Sequence, residues 1–496
     1  MNFYSTEDVT KKVSFSEALT QGISSEGGLF VPEELPKISS EEIESMLEMS
    51  YDERANLILG KFATDFSAEE IAECTKKAYS RFDGEPAPLV KIDDGIYLLE
   101  LFHGPTLAFK DIALTLFPNM LAKAREKVGM KEEVLILVAT SGDTGKAALE
   151  GFKDIDGIKI LVFYPNDGVS NMQKLQMTTQ KGSNVGVAAI EGNFDNCQSG
   201  VKEIFGDKAF EAEILKRGYK FSSANSINLG RLLPQVVYYF SSYLDLVYDE
   251  EIQMGDEVNF TVPTGNFGNI LAGYYAKKMG LPVKKFICAS NSNNVLTEFF
   301  NTGRYDAKRN FYKTMSPSMD ILISSNLERL LFLVSGNDDK LTKERMQTLK
   351  ATGEFKVTTK ELDELNEFIY AGAASEDDTA KTISLFYEEY GYALDPHTAV
   401  GVYAQDEYAV QQNDFTNMIV ISTASPYKFN QDVLKAIGGK INDNAFKNLK
   451  TLNSLTAVDI PEALANLEFE DVRFKNVYEV SQMKQSVQDF LDGKIG

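Results

Sequence analysis

Val134–Lys153 reads VLILVATSGDTGKAALEGFK, a continuous apolar run followed by a glycine-rich loop and then a helical pattern. An apolar run without alternation marks a strand buried on both faces of a parallel sheet. The loop Thr140–Gly145 then turns at the strand's carboxyl end, and KAALEGFK returns as a helix. The same grammar recurs downstream. Further strands are expected at Ile158–Tyr164, Val185–Ile190, Val258–Val262, Val283–Ala289 and Met418–Ser422, with a short buried strand upstream at Ile96–Phe102. The helices between them carry Met172, Leu175 and Met177, run from a cap at Asp195 through Phe205, and span Leu229–Val247, Ile270–Met279 and Asp395–Gln412. Strand and helix in alternation imply an α/β class with doubly wound open sheets, whose ligands sit at the carboxyl ends of the strands.

The chain has 496 residues, more than one core accommodates, so about two or three domains are expected. Residues 1–98 read as a mostly helical N-terminal region. Ser39 with Glu42, and Ser67 with Glu70, have the spacing of capping boxes. Leu29–Val31 reads as a short strand between glycine and proline turns. The stretch at about 300–390 is charged and reads as a helical insertion, and 441–496 as a helical tail.

The net charge is −23 with a pI near 4.7. That argues against nucleic acid and anionic membrane surfaces as partners, and any anionic substrate must meet a local cationic pocket. The three cysteines, Cys74, Cys197 and Cys288, are scattered and suggest neither a disulfide framework nor a metal motif, which places the chain in a reducing cytoplasm. Only His103 and His397 are present, so no histidine-rich zinc site is expected and no metal is assigned. The N-terminus MNFYSTEDVTKK has no apolar core for a secretory signal. No run approaches the roughly 20 apolar residues of a membrane helix.

Chemistry collects at strand ends. In Leu101–Asp111, LFHGPTLAFKD, one lysine stands among apolar residues. Burial lowers a lysine's pKa, and a neutral amine can form a Schiff base with a carbonyl. The ordinary alternative is a lysine that snorkels to solvent. Gly265-Asn266-Phe267-Gly268-Asn269 is a strand–turn–helix loop able to cradle a phosphate with backbone N–H groups, or an ordinary glycine turn. Thr140–Gly145 followed by Lys146 only superficially resembles a P-loop. Thr140 stands where a glycine is required, and Ala147 where a magnesium-binding hydroxyl is required. Ser141, Asp143 and Thr144 remain as a polar helix start suited to a carboxylate. Asn228 and Arg231 can grip an anion or simply cap a helix. Thr423 can face a neutral ring nitrogen or close a turn. Amine, phosphate cradle and terminal hydroxyl are together the parts that pyridoxal phosphate requires.

Those segments and others in order resemble threonine synthase, in the longer branch found in fungi and many bacteria, within the tryptophan-synthase-β-like fold type II enzymes. The match includes GISSEGGLFVPE, HGPTLAFKD, TSGDTGKAA, SANSINLGRLLPQ, PTGNFGN, MSPSMDILISSNLER, DPHTAVG and STASPYKF. The resemblance implies two α/β lobes, a large one from 99–119 and 226–440 and a small one from 120–225. It implies that Lys110 carries pyridoxal 5'-phosphate and acts as the catalytic residue, that Gly265–Asn269 wrap the phosphate, and that Thr423 faces the ring nitrogen. Asp143 would lie by the ring hydroxyl, Ser141 and Thr144 by the substrate carboxylate, and Lys146, Asn228 and Arg231 by the substrate phosphate. The implied reaction turns O-phospho-L-homoserine and water into L-threonine and phosphate in the cytoplasm, in a monomer or a dimer. The rivals are a phospho-lyase giving 2-oxobutyrate and a non-catalytic cofactor-binding paralogue. One departure stands in the last loop, where the family has His and this chain has Ser425, with Tyr427 in place of Ala. His103 is a further candidate for the pocket.

Overall fold

The computed structural model describes residues 1–140, 142–167 and 169–495, with the side chain of Asp195 left out. Two largely parallel sheets organise it. The larger has six strands in the order Ile369–Ala373, Val283–Ser290, Val258–Pro263, Met418–Ser422, Ile96–Glu100, Leu89–Asp93. Only the last pair is antiparallel. The smaller has five parallel strands, Val477–Glu479, Val185–Glu191, Ile158–Pro165, Glu133–Ala139 and Tyr219–Ser222. Every residue of Val258–Pro263 and of Met418–Ser422 is buried. Helices cover both faces, so an unbroken apolar run is what these strands need.

The helix ends follow local chemistry. Ser39 and Glu42, and Ser67 and Glu70, form the reciprocal capping bonds that their spacing predicts. Asp195 does not cap its helix. Asn193 does, accepting from Asn196 N–H at 2.9 Å, and the helix spans Phe194–Gly206. An Asn-x-x-Asn pair satisfies two orphan amides at once, which places Asp195 inside the first turn. The helix expected over Leu229–Val247 is two, Leu229–Leu232 and Pro234–Tyr248. Pro234 has no N–H to continue the first and begins the second instead.

Short strands within polar sequence are where the elements differ from expectation. Residues 1–98 include a three-stranded antiparallel sheet of Phe3–Ser5, Asp8–Val13 and Phe30–Pro32. Its outer strand Asp8–Val13 is largely solvent-facing and so looks like a polar loop. The 300–390 stretch holds four helices, a pairing of Arg304–Asp306 with Glu354–Lys356, and Ile369–Ala373, an edge strand of the large sheet. IYAGA carries little β propensity of its own, and pairing with Phe286–Ser290 decides it. Within 441–496, Val477–Glu479 joins the small sheet beside Ala189–Glu191.

Leu137, fully buried in the centre of the small sheet, tests the core. Leu137→Ala is expected to cost about 2–5 kcal/mol by urea denaturation, while Leu215→Ala at a half-exposed position stays within about 0.5 kcal/mol.

Candidate active site

Lys110 is delivered by the turn that follows the strand Ile96–Glu100. Gly104 is required there, because a Cβ would lie 2.5 Å from Asp111 Cβ. Leu107 adopts φ +62°, a costly left-handed conformation. Asp111 clamps the turn, accepting from Thr106 N–H at 2.7 Å and Thr106 hydroxyl at 2.6 Å. The turn is also stitched to the last strand's loop. Phe109 N–H donates to Thr423 O at 2.8 Å and Ser425 N–H to Leu107 O at 3.1 Å. Lys110 then opens the short helix Lys110–Leu114, 8% exposed, its amine donating to Ser318 Oγ at 3.2 Å. Burial pushes its pKa down to about 8, against the pull of the Asp143 carboxylate; the Lys428 and Arg231 charges push the same way as burial.

The Gly265–Asn269 loop follows the strand Val258–Pro263. Gly265 has no room for a side chain, since a Cβ would lie 2.8 Å from Ser318 O. Ser318 therefore touches both Lys110 and this loop. Phe267 takes φ +62° and Gly268 begins the helix Gly268–Met279. The loop's carbonyls are held from behind. Ser324 hydroxyl donates to Gly265 O at 2.7 Å, and Asn326 donates to Asn266 O through N–H at 3.1 Å and Nδ2 at 2.9 Å. Tyr238 and Tyr239 hydroxyls both donate to Asn269 Oδ1, at 2.6 and 2.7 Å. Asn269 Nδ2 is left buried without a partner. The helix's first amides likewise have no partner within the helix.

The cations differ in how far the protein already neutralises them. Arg231 is 4% exposed, spends Nη1 on Ala224 O at 2.8 Å, and leaves Nε buried and unbonded. Burial lowers its pKa to about 10. Lys146 is paired with Glu150 at 3.3 Å and donates to Gln180; burial lowers its pKa. Asn228 has no spare capacity. Its Oδ1 caps Gly230 N–H at 3.0 Å and its Nδ2 donates to Leu19 O at 3.0 Å. Thr144 sits half-buried in the first turn of the helix Asp143–Phe152, and Ser141 lies outside the described residues.

Asp143, at that helix start, meets Lys428 at 2.8 Å, both almost wholly buried. Burial would raise the Asp143 carboxyl, but the Lys428 and Lys110 charges outweigh it and hold the group well below the usual range. Gln173 Nε2 donates to the same oxygen at 3.1 Å, and Lys428 also donates to Thr106 O at 2.8 Å. Lys428 was not singled out in the sequence; its only signal is its place just beyond the Thr423 loop. Ser425 accepts from Tyr427 N–H at 3.4 Å and so caps the turn Pro426–Phe429 that presents Lys428. Thr423 is buried, its N–H donating to Thr398 Oγ1 at 3.3 Å. His103 pairs with Glu100 at 2.7 Å and stacks on Phe102, fixing the turn. The ring that reaches the site's wall is His397, whose Nε2 accepts Ser318 N–H at 3.2 Å.

A buried amine, an unneutralised guanidinium and an unpartnered amide beside a helix start form a pocket for an anionic carbonyl compound, and they fit pyridoxal phosphate. Fold and site together define a pyridoxal-phosphate-dependent enzyme of fold type II, and the family described as "Pyridoxal-phosphate dependent enzyme" matches residues 83–423. The flanks match "Threonine synthase N terminus" over residues 2–79 and "Threonine synthase, C-terminal" over residues 398–489. The chain belongs to the threonine synthase family.

Its relatives include the threonine synthase of Pseudomonas aeruginosa, 41% identical over 88% of this chain and 90% of that protein. The human protein "Threonine synthase-like 1" is also 41% identical, over 97% of this chain and 66% of that protein, so the chain spans just under two thirds of that relative's length. Among solved structures, the pyridoxal-phosphate-bound threonine synthase from Brucella melitensis is 38% identical with a TM-score of 0.88, covering 99% of both chains. The yeast threonine synthase gives 34% identity, a TM-score of 0.88 and the same coverage.

Removing one member of a buried ion pair leaves the other uncompensated. Lys428→Met is expected to cost about 3–5 kcal/mol in denaturant titrations of the apo-protein. The double variant Lys428→Met/Asp143→Asn is expected to recover most of that loss.

Proposed function

We propose that this chain is a threonine synthase that converts O-phospho-L-homoserine and water to L-threonine and phosphate. The observation that carries this reading is the Lys110 amine, buried, bonded to Ser318 and lowered to about pKa 8, close enough to feel the charge of the unneutralised Arg231. Lys110 would hold the cofactor by its amine. Gly265, Asn266, Phe267, Gly268 and Asn269 would hold its phosphate, Asn269 through the free Nδ2. Thr423 would meet the ring nitrogen with a hydroxyl, which leaves that nitrogen without a proton. Asp143 would stand by the ring hydroxyl, kept ionised by Lys428.

Pyridoxal phosphate, when bound, withdraws electrons from the carbon bearing the amine and from its neighbour, so that protons can leave there. Lys110, displaced by the substrate's own amine, is the base within reach and moves those protons. Arg231 is the first choice for the substrate phosphate, because among the described residues its charge has no carboxylate partner and its Nε is buried and unbonded; Lys146 is paired with Glu150, and Asn228 holds the loop in place. Thr144, at the start of the helix Asp143–Phe152, and Ser141, two residues before that helix in sequence, would take the carboxylate. The pocket must exclude water until phosphate has left and then admit it to the neighbouring carbon. The buried, unpaired cysteines fit a cytoplasmic setting. Among the described residues no helix is long and apolar enough to cross a membrane. The substrate of this reading is a small molecule.

Purified protein with O-phosphohomoserine is expected to release phosphate and threonine in equal amounts. Phosphate with 2-oxobutyrate and no threonine would instead establish the lyase. Lys110→Ala is expected to abolish turnover, and retained turnover refutes the assignment. In the apo-protein, only the neutral amine attacks a carbonyl. Cofactor attachment is therefore expected to speed up about tenfold per pH unit below about 8 and to level off above it, whereas a lysine at the ordinary value of 10.5 would keep accelerating.

A further inference from the structure

Asp395 reaches both ends of the site without lining it. It is 1% exposed and caps the helix Pro396–Gln412, accepting His397 N–H at 2.9 Å on Oδ1 and Thr398 N–H at 3.3 Å on Oδ2. Oδ1 also lies 2.7 Å from His397 Nδ1, and Oδ2 accepts the Thr398 hydroxyl. Each oxygen thus begins a chain.

The first chain runs to Lys110. His397 Nε2 lies 3.2 Å from the backbone nitrogen of Ser318, a group that can only donate. Nε2 is therefore the acceptor, and Nδ1 carries the proton that Asp395 receives. Phe429 packs edge-on against the ring at 4.9 Å and holds its plane. With its amide fixed, Ser318 keeps its hydroxyl 3.2 Å from the Lys110 amine and its carbonyl against Gly265. The second chain runs to Thr423. The Thr398 hydroxyl gives its hydrogen to Asp395, so its oxygen is free to accept Thr423 N–H at 3.3 Å, 3.1 Å from Ser422 Oγ.

We infer that Asp395 is a positioning residue, which fixes His397 as the Nδ1–H tautomer and through Ser318 sets the Lys110 amine for attack on the cofactor. The inference rests on the reading of Lys110 as the cofactor lysine. Capping alone does not require a carboxylate, because asparagine caps as well as aspartate. Two acceptors on two chains do require it. An asparagine accepts on one side and donates on the other, so it either turns the ring so that two donors face each other at Ser318 or reverses the Thr398 hydroxyl. Either change releases one end of the site and keeps one of the two capping bonds, the one that the remaining amide oxygen accepts.

The chain has only two histidines, His103 and His397, so nitrogen NMR of the apo-protein labelled at histidine reads the tautomer, with His103→Gln assigning the signals. His397 is expected to carry its proton on Nδ1 alone; a proton on Nε2 overturns the inference whatever any variant does. In the Asp395→Asn apo-protein whose spectrum shows the His397 proton moved to Nε2, borohydride trapping of pyridoxal phosphate followed by peptide mapping is expected to show attachment at Lys110 slowed at least tenfold, with unchanged circular dichroism, and attachment at the wild-type rate in that state overturns the inference. Where the proton stays on Nδ1 the amide has released the Thr398 side instead, and attachment slowed to the same extent there overturns the inference. Should the variant not fold, the tautomer in the wild-type protein decides. Trapping that persists in Lys110→Ala refutes the reading of Lys110 and leaves the tautomer result to stand by itself.

Discussion

The desolvation of one lysine amine governs the site. Taking an ammonium out of water is unfavourable by several kcal/mol, and the protein meets this by letting Lys110 lose its proton easily. The surroundings are graded to keep that balance. Asp143 favours the charged form, while Lys428 and Arg231 oppose it, so the amine sits near the pH at which it must act. A stronger anion beside Lys110 would hold the proton. Without Asp143, the buried Lys428 would lose its ion-pair partner.

That same ion pair couples the lobes. Asp143 begins a helix of the small sheet's layer, and Lys428 follows the last strand of the large sheet. The Lys110 turn runs between them and is bonded to the Thr423 loop on its other side. Cofactor lysine, ring-facing hydroxyl and small-lobe helix start are therefore held by one set of contacts. The turn that presents Lys428 is capped by Ser425.

Much of the fold was legible. Unbroken apolar runs announced the central parallel strands, and capping spacings announced the helix starts at Ser39 and Ser67. Strands such as Ile369–Ala373 and Val477–Glu479 were not legible, because they are short and mix β-favouring with disfavouring residues, so that a neighbouring strand supplies the order. The break at Leu233 is encoded locally, by Pro234. In the site, Lys110 and the Gly265–Asn269 loop announce their chemistry through unusual local composition. Lys428, Ser318 and Asp395 do not. Each is an ordinary residue in an ordinary turn until long-range packing brings it to another group.

The sequence by itself determined the alternation of strand and helix, the ends of many helices, and which loops could hold an amine, a phosphate and a ring. These are properties of residues a few positions apart, where hydrophobic period, missing N–H groups and glycine conformations act locally. Only the tertiary structure decided which cations remain free, which carboxylate stays charged and which histidine nitrogen is protonated. Those properties depend on burial and on partners hundreds of residues away, as between Lys110 and Ser318 or Asp143 and Lys428. Whether a charge is neutralised is a fact about space, and no local pattern encodes it.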